Sequence, residues 1–144
     1  MTRTQRLQPV IQQQDKKEQK ALQAVALRQQ SANAEATKLQ QLLEYKDEYL
    51  QQRNTAGDSC NALQLQEFSR FLTQLEQTIE AQTELVEIRQ RELQQERKRW
   101  VETRIDSRKI HKVVENLEHE AMYEKERDEQ REMDELSQRK RGTE

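Results

Sequence analysis

The sequence predicts an all-α protein: a long two-helix antiparallel coiled-coil hairpin with an overhanging C-terminal helix. The chain has 144 residues, of which 32% are hydrophobic, 36% charged and 4% aromatic. This composition is typical of long helices and not of a globular core. Two glycines and one proline leave few positions at which a helix must stop. The apolar residues also recur at heptad spacing along most of the chain, which indicates helices that pack lengthwise.

The strongest heptad pattern lies in the second half of the chain. Alternating steps of three and four residues from Leu65 to Ala121 land mostly on apolar residues, among them Phe68, Leu72, Leu75 and, further on, the single tryptophan. An apolar stripe on so polar a helix has nothing to bury against by itself. A second helix must therefore lie along it.

The first half of the chain carries a weaker track of the same spacing. Pro9 is tolerated in the first turn of a helix, so this helix is predicted to begin near Gln8. The predicted track passes through Ile11, Asp15, Glu18, Leu22, Val25, Gln29, Ala32, Ala36, Leu39, Leu43, Lys46 and Leu50.

The predicted break lies between the two tracks. Gly57 can adopt the left-handed conformation that follows a helix end, and Asp58 or Ser59 can cap the next helix. We expect one domain over residues 1–144, with helix 1 at about 8–54, a turn at 55–59 and helix 2 at about 60–138. Paired residue numbers would then add to about 114 or 115, so the chain after about Lys112 would overhang without a partner.

Aromatic residues gather near the predicted turn. Leu42, Tyr45 and Tyr49 fall outside the predicted seam on neighbouring turns of helix 1, and Phe71 lies near their level on helix 2. Exposed aromatic clusters are typical of protein-binding surfaces. The alternative is that these side chains widen the seam.

Charge is distributed in blocks. Residues 89–112 hold nine basic and four acidic side chains, residues 1–20 hold five and two, and residues 113–136 hold three and ten. The first two blocks would lie side by side at the open end of the hairpin, which favours an acidic partner surface. The alternative is a solvated face with mixed charges. The basic candidates for binding are Arg97, Lys98, Arg99, Arg108 and Lys109.

No motif for catalysis or for a cofactor stands out. His111, Glu115 and His119 share one helix face but lack a further strong ligand, so we expect no metal site. Cys60 is the sole cysteine and cannot form an internal disulfide, which fits a reducing compartment. The sequence has no glycine-rich loop that could hold a phosphate. We expect a protein that is not an enzyme and needs no cofactor or small-molecule substrate.

Other classes of function are disfavoured by composition. No apolar run approaches the ~20 residues that cross a bilayer, and the first residues lack the apolar stretch of a signal peptide. A net charge of −2, with Trp100 as the sole aromatic residue of the basic segment 89–112, argues against nucleic-acid binding. The sequence therefore predicts a cytoplasmic monomer that acts by binding other proteins.

Four segments resemble one known family. They are LLEYKDEYLQQRN at 42–54, LQEFSRFLTQLEQTIEAQ at 65–82, KRWVETR at 98–104 and ERDEQREMDELSQRK at 126–140. Together they resemble FliJ, the small coiled-coil protein of the bacterial flagellar type III export apparatus. The placement of the two tyrosines and the closing acidic run are the most particular features.

The resemblance implies a stalk-like protein peripheral to the cytoplasmic side of the inner membrane, held there by its partners. FliJ proteins look like the stalk of rotary ATPases: they bind the ring of the export ATPase FliI, the cytoplasmic domain of the export gate protein FlhA, and export chaperones. Carried over by position, the gate-binding residues would be Leu42, Tyr45, Tyr49, Phe71 and Leu75, with Lys38, Thr78 and Gln82 at the edge. The ring-binding end would involve the N-terminal helix and the C-terminal segment.

Three alternatives remain open at this point. A stalk protein of a virulence-type injectisome would have the same architecture. A basic helical hairpin could also lie along RNA, and a purely structural coiled coil could pair its seams between two chains.

Overall fold

The computed structural model describes residues 3–57 and 61–142. It contains two helices that pack against each other: α1 spans Arg3–Ala56 (54 residues) and α2 spans Ala62–Gly142 (81 residues). The predicted all-α hairpin is therefore confirmed. Within the described ranges, neither helix contains a stretch long and apolar enough to cross a bilayer.

The helix α1 begins at Arg3 and not near Gln8, so Pro9 lies inside it. The prediction placed Pro9 in the first turn because proline lacks an N–H group and its ring crowds the carbonyl four residues earlier. The half-buried residues Thr4 and Leu7 precede the proline. Burial of these side chains favours helix on the N-terminal side of Pro9 and offsets the cost of the missing hydrogen bond.

The two helix ends nearest the turn have recognisable stop and start signals. Gly57 follows the end of α1 with φ of +42°, the left-handed conformation expected after a helix. At the start of α2, Asn61 Oδ1 accepts a hydrogen bond from the backbone N–H of Gln64 (2.9 Å). Gln64 Oε1 in turn accepts a hydrogen bond from the backbone N–H of Asn61 (3.1 Å), which completes a reciprocal capping box. The predicted caps Asp58 and Ser59, and Cys60, lie outside the described residues.

The seam of α2 follows the predicted heptad positions. Every predicted position from Phe68 to Leu117 is buried or half-buried, and Leu65 and Ala121 at the two ends are exposed. The best buried members are Leu75, Leu93, Ser107 and Val114, with exposures of 1–6%.

The seam of α1 differs from the predicted track at every second position. Leu42 is half-buried, whereas Leu43 is 39% exposed and Leu22 is 50% exposed. The predicted positions at 15, 29 and 50 are half-buried at its edge. The observed seam runs through Thr4, Leu7, Ile11, Gln14, Glu18, Ala21, Val25, Ala32, Glu35, Leu39, Leu42, Lys46, Tyr49, Arg53 and Ala56.

The order of the heptad steps fixes which levels of the two helices face each other. In an antiparallel pair, steps counted away from the turn must alternate in the same order on both helices if the layers are to face each other. The α2 seam steps three, four and three residues from Leu65 to Leu75. The observed α1 seam does the same from Tyr49 to Leu39, whereas the predicted track steps four, three and four.

The chain divides into two units. The turn unit comprises Ala21–Trp100, and the terminal unit comprises Met1–Lys20 and Val101–Glu144. The turn unit has its best buried apolar residues at Ala32, Leu75 and Leu93.

The terminal unit buries more of α2 than expected. Val114 is 5% exposed and Leu117 is half-buried, although both follow Lys112, where the overhang was predicted to begin. The helices are offset from the predicted pairing: Thr4 and Leu117 line the same groove although their residue numbers add to 121 and not to 114 or 115, so α1 reaches further along α2. All described residues from Glu118 onward are exposed, so the overhang begins there.

Candidate protein-binding surfaces

The turn unit contains a cluster of four aromatic rings. The ring centroid of Tyr49 lies 4.6 Å from that of Phe71 and 5.1 Å from that of Phe68. Tyr45 packs edge-on against Phe71 at 6.1 Å. These separations are in the range of favourable aromatic pairs. Leu42 and Leu75 occupy seam positions one to two turns from the rings, where Leu75 is 6% exposed.

The rings line a shallow groove of about 760 Å³. Tyr45 is 49% exposed, while Tyr49, Phe68 and Phe71 are half-buried. Tyr45 is therefore accessible to a partner, and Phe71, which packs on Tyr49, supports its ring. Besides the rings, the groove is lined by Gln52, Ala56, Gln64 and Glu67.

Phe68 was not among the predicted site residues because its seam position suggested a purely structural role. Its spacing of three residues from Phe71 was the available signal, since residues three apart are neighbours on a helix surface.

The environment of Tyr49 favours the protonated form of its hydroxyl. Burial raises the pKa of Tyr49, and the nearby Tyr45 adds to this, whereas Arg53 opposes it. A tyrosine hydroxyl is protonated at neutral pH even at its ordinary pKa, so the phenol can donate a hydrogen bond to a bound partner.

The residues predicted for the edge of this surface already have intramolecular partners. Gln82 Nε2 donates to the Glu35 backbone carbonyl (3.0 Å) and to its carboxylate (2.6 Å). Lys38 Nζ lies 3.6 Å from the same carboxylate. These contacts, the Gln82 hydrogen bond first and then the Lys38 charge, hold the pKa of Glu35 below its usual value against an opposing effect of burial. The Thr78 hydroxyl donates to the Gln74 carbonyl (2.9 Å).

Three of the five predicted basic residues lie in the turn unit. Arg97 Nη2 donates to Gln29 Oε1 (2.8 Å), and Arg99 Nη1 lies 3.4 Å from Glu96 Oε1. Lys98 is exposed. Of the three, Lys98 is the side chain for which no intramolecular contact is described.

The other two basic residues lie in the terminal unit. Arg108 and Lys109 are both exposed, and Lys109 stands over an apolar groove formed with Leu7, Val10, Ile110, Val113 and Val114. Nearby, His111 Nε2 lies 2.9 Å from Asp15 Oδ1 on α1. The five basic residues thus belong to two different units, each of which presents its own positive charge.

The predicted face of His111, Glu115 and His119 is not assembled as a metal site. His119 Nε2 is 3.8 Å from Glu115 Oε1, while His111 contacts Asp15 instead. Within residues 3–57 and 61–142, no three His, Cys, Asp or Glu side chains converge closely enough to hold an ion.

A polar helical hairpin with an exposed aromatic groove and exposed basic side chains defines a class: a coiled-coil protein that works through protein contacts. The family comparison is more specific, because the model of the flagellar FliJ protein family matches residues 3–143. The chain belongs to this family, and the resemblance found in the sequence is confirmed. No curated protein and no solved structure matches the chain.

Family membership makes the chain a component of the flagellar type III export apparatus with protein partners in that system. The family is a non-catalytic one. Of the systems considered, the match favours the flagellar apparatus over an injectisome.

Proposed function

We propose that this chain is the stalk that links the export ATPase to the export gate. Its aromatic groove binds the cytoplasmic domain of FlhA, and its basic residues contact the FliI ring. The same protein receives empty export chaperones at the membrane. It works in the cytoplasm, peripheral to the inner membrane, and supports flagellum assembly and so motility and chemotaxis.

The observation that carries the gate assignment is the exposed ring of Tyr45, which packs edge-on against Phe71 at the border of a cluster of aromatic rings. Hot spots of protein interfaces are enriched in tyrosine and lie in well-packed surroundings. The carried-over residues play different parts in this surface. Tyr45 and the exposed edges of Tyr49 and Phe71 touch the partner, whereas the buried Leu75 supports them.

Gate binding is tested by Tyr45→Ala, which removes the accessible ring and leaves Leu75 and the seam intact. We expect binding to the FlhA cytoplasmic domain to weaken about tenfold or more, since loss of a hot-spot residue costs about 2 kcal/mol. Titration calorimetry gives the dissociation constant. Tyr123→Ala is the matched control, because Tyr123 is 63% exposed in the terminal unit. Equal affinity of the Tyr45 variant and the unchanged protein contradicts the assignment.

The assignment of a contact with the FliI ring rests on exposed, positively charged side chains. Arg97 and Arg99 have intramolecular partners, so Lys98 in the turn unit and Arg108 and Lys109 in the terminal unit are the basic side chains best placed to meet acidic groups. Rim charges of this kind act on association rate and on salt dependence.

Charge-reversal variants test the basic residues of the turn unit and those of the terminal unit separately. We expect Lys98→Glu alone and the pair Arg108→Glu with Lys109→Glu each to reduce stimulation of ATP hydrolysis by FliI, because like charges then face the acidic partner. The measurement is ATPase rate against stalk concentration at two salt concentrations. Arg70→Glu, an exposed reversal near the start of α2, is the control. Full stimulation of FliI by both test variants would show that these residues do not contact the FliI ring.

As a mechanism, a stiff hairpin inside a six-fold ring makes unlike contacts with successive subunits. Such contacts bias the conformations of the ring, and the coupling works in both directions. Gate binding would thereby change ATP turnover.

A further inference from the structure

The turn unit has a second apolar track on α1 beside the seam that it uses. Leu22, Ala36, Leu43 and Leu50 are spaced in heptads, and each directly follows a seam residue. Leu22 is 50% and Leu43 is 39% exposed. Ala36 is exposed and Leu50 half-buried.

The seam in use is less apolar than the exposed track. It contains Glu35 at a half-buried position, where Gln82 and Lys38 contact the carboxylate. Lys46 belongs to both tracks. Exchange of the two tracks would replace Glu35 by Ala36 and Ala21 by Leu22. Against the exchange stands the packing of Tyr49 on Phe68 and Phe71. The two faces of α1 are therefore comparable as packing surfaces for α2.

The second track has a matching partner sequence on α2. Counted away from the turn, it steps four, three and four residues from Leu50 to Leu39. The α2 seam has the same order of steps from Phe68 to Ile79. To bring these positions face to face, α1 must rotate by about 50°, half the angle between successive residues, and slide by half a heptad, about 5–6 Å.

The connection between the helices is long enough for this slide. Five residues separate Ala56 from Ala62, and five extended residues span about 17 Å. Helix axes in contact lie about 8–10 Å apart. The length of the connection that remains after it crosses between the two helix axes exceeds the distance that α1 must slide.

We propose that α1 packs on α2 in two registers, and that the second buries Leu22, Ala36, Leu43 and Leu50 in place of Ala21, Glu35, Leu42 and Tyr49. Because Tyr49 leaves its aromatic partners in the second register, the groove exists only in the first. A ligand that occupies the groove therefore selects the first register, and whatever favours the second releases that ligand.

Disulfide trapping in the full-length chain tests the two registers. In a Cys60→Ser background, cysteine replaces Leu42 or Leu43 and is combined in turn with Leu72→Cys and Leu75→Cys. Diamide serves as the oxidant. A minor state a few kcal/mol above the major one is populated at about 0.1–10%. We thus expect Leu43→Cys to cross-link about 10- to 1,000-fold more slowly than Leu42→Cys but to completion. Circular dichroism before oxidation shows whether each variant folds.

Two controls separate register exchange from general mobility. Glu44→Cys lies one residue further on, faces away from α2 in both registers and should not cross-link. Ala36→Glu is exposed in the first register and faces α2 in the second, so it should slow the Leu43→Cys cross-link and leave the Leu42→Cys cross-link unchanged. Gln41→Glu, an exposed change on the same helix, should affect neither. If Leu43→Cys cross-links no faster than Glu44→Cys, the second register does not exist.

The trapped chains also report on the groove. In the chain locked by Leu43→Cys, the raised pKa of Tyr49 should fall back toward its ordinary value, which an absorbance titration of the tyrosines detects. An unchanged titration overturns the proposed loss of the groove. Loss of FlhA binding in the same chain rests on the proposed function. If FlhA binds neither trapped chain nor the unmodified protein, the gate assignment fails while the two registers stand.

Discussion

At the scale of single residues, Tyr49 joins packing to recognition. Its ring occupies a seam position and contacts both phenylalanines, of which Phe71 supports the more exposed Tyr45. The heptad pattern placed Tyr49 outside the seam, because Leu50 offered an apolar side chain at the adjacent position. The aromatic character of Phe68 and Phe71 decides between the two, since aromatic pairs gain energy beyond their buried area.

Leu93 is the residue whose loss should cost most in the turn unit. It is 1% exposed, so Leu93→Ala leaves a cavity and should lower the free energy of unfolding by about 2–5 kcal/mol. Urea denaturation followed by circular dichroism measures the change. Leu27→Ala is the matched control, because Leu27 is 67% exposed and its truncation should change stability by less than about 0.5 kcal/mol. Similar costs for both leucines would contradict the described seam.

At the scale of the helices, the turn is defined by backbone conformation and caps. The capping box of Asn61 and Gln64 satisfies backbone donors at the start of α2. Gly57 supplies the positive φ after α1. The sequence predicted Gly57 correctly because its composition leaves no other glycine near this point. It did not predict the Asn61 cap, because Asp58 and Ser59 precede Asn61 in the sequence and also have side chains that can cap a helix.

The two glycines of the chain provide a direct test of the turn. A Cβ at Gly57 or at Gly142 would meet no atom within 4 Å, and the positive φ of Gly57 distinguishes them. Gly57→Ala should therefore destabilise the hairpin by about 1–2 kcal/mol through backbone strain alone. Gly142→Ala should be neutral or slightly stabilising. Thermal unfolding of both variants gives the comparison, and a neutral Gly57→Ala would show that the left-handed turn is not required.

The heptad spacing predicted the seam of α2 correctly and the seam of α1 only at alternate positions. On α2 one track of heptad spacing is apolar along most of its length, so the seam follows directly from the spacing. On α1 two neighbouring tracks are apolar, for example at Leu42 and Leu43, and the spacing alone does not choose between them. The choice depends on which side chains of α2 each track meets, such as Phe68 and Phe71 beside Tyr49, and this is a property of the pair.

At the scale of the whole chain, the overhang of α2 is the part without packing in the hairpin. Residues 118–142 are all exposed, and apolar side chains such as Met122, Met133 and Leu136 are among them. A helix with so many charges is marginal without a partner surface. Its order should therefore depend on what it binds.

Truncation separates the hairpin from the overhang. A chain that ends at Lys125 should keep its urea midpoint, with a stability change below about 0.5 kcal/mol, because every described residue beyond that point is exposed. Its helical content should fall with the removed length. A chain that ends at Lys109 loses Ile110 and the buried Val114, and its midpoint should fall clearly. Equal stability of the two shortened chains would contradict the packing of the terminal unit.

The sequence by itself determined the all-α class, the place of the reversal and the seam of α2, because each depends on local spacing or on the conformational freedom of one glycine. It also determined the family, through segments on both helices. The tertiary structure decided which face of α1 meets α2, how far packing continues beyond Lys112, and which candidate residues remain accessible. These features depend on how two helices fit each other, and a pattern on either helix alone does not contain that information.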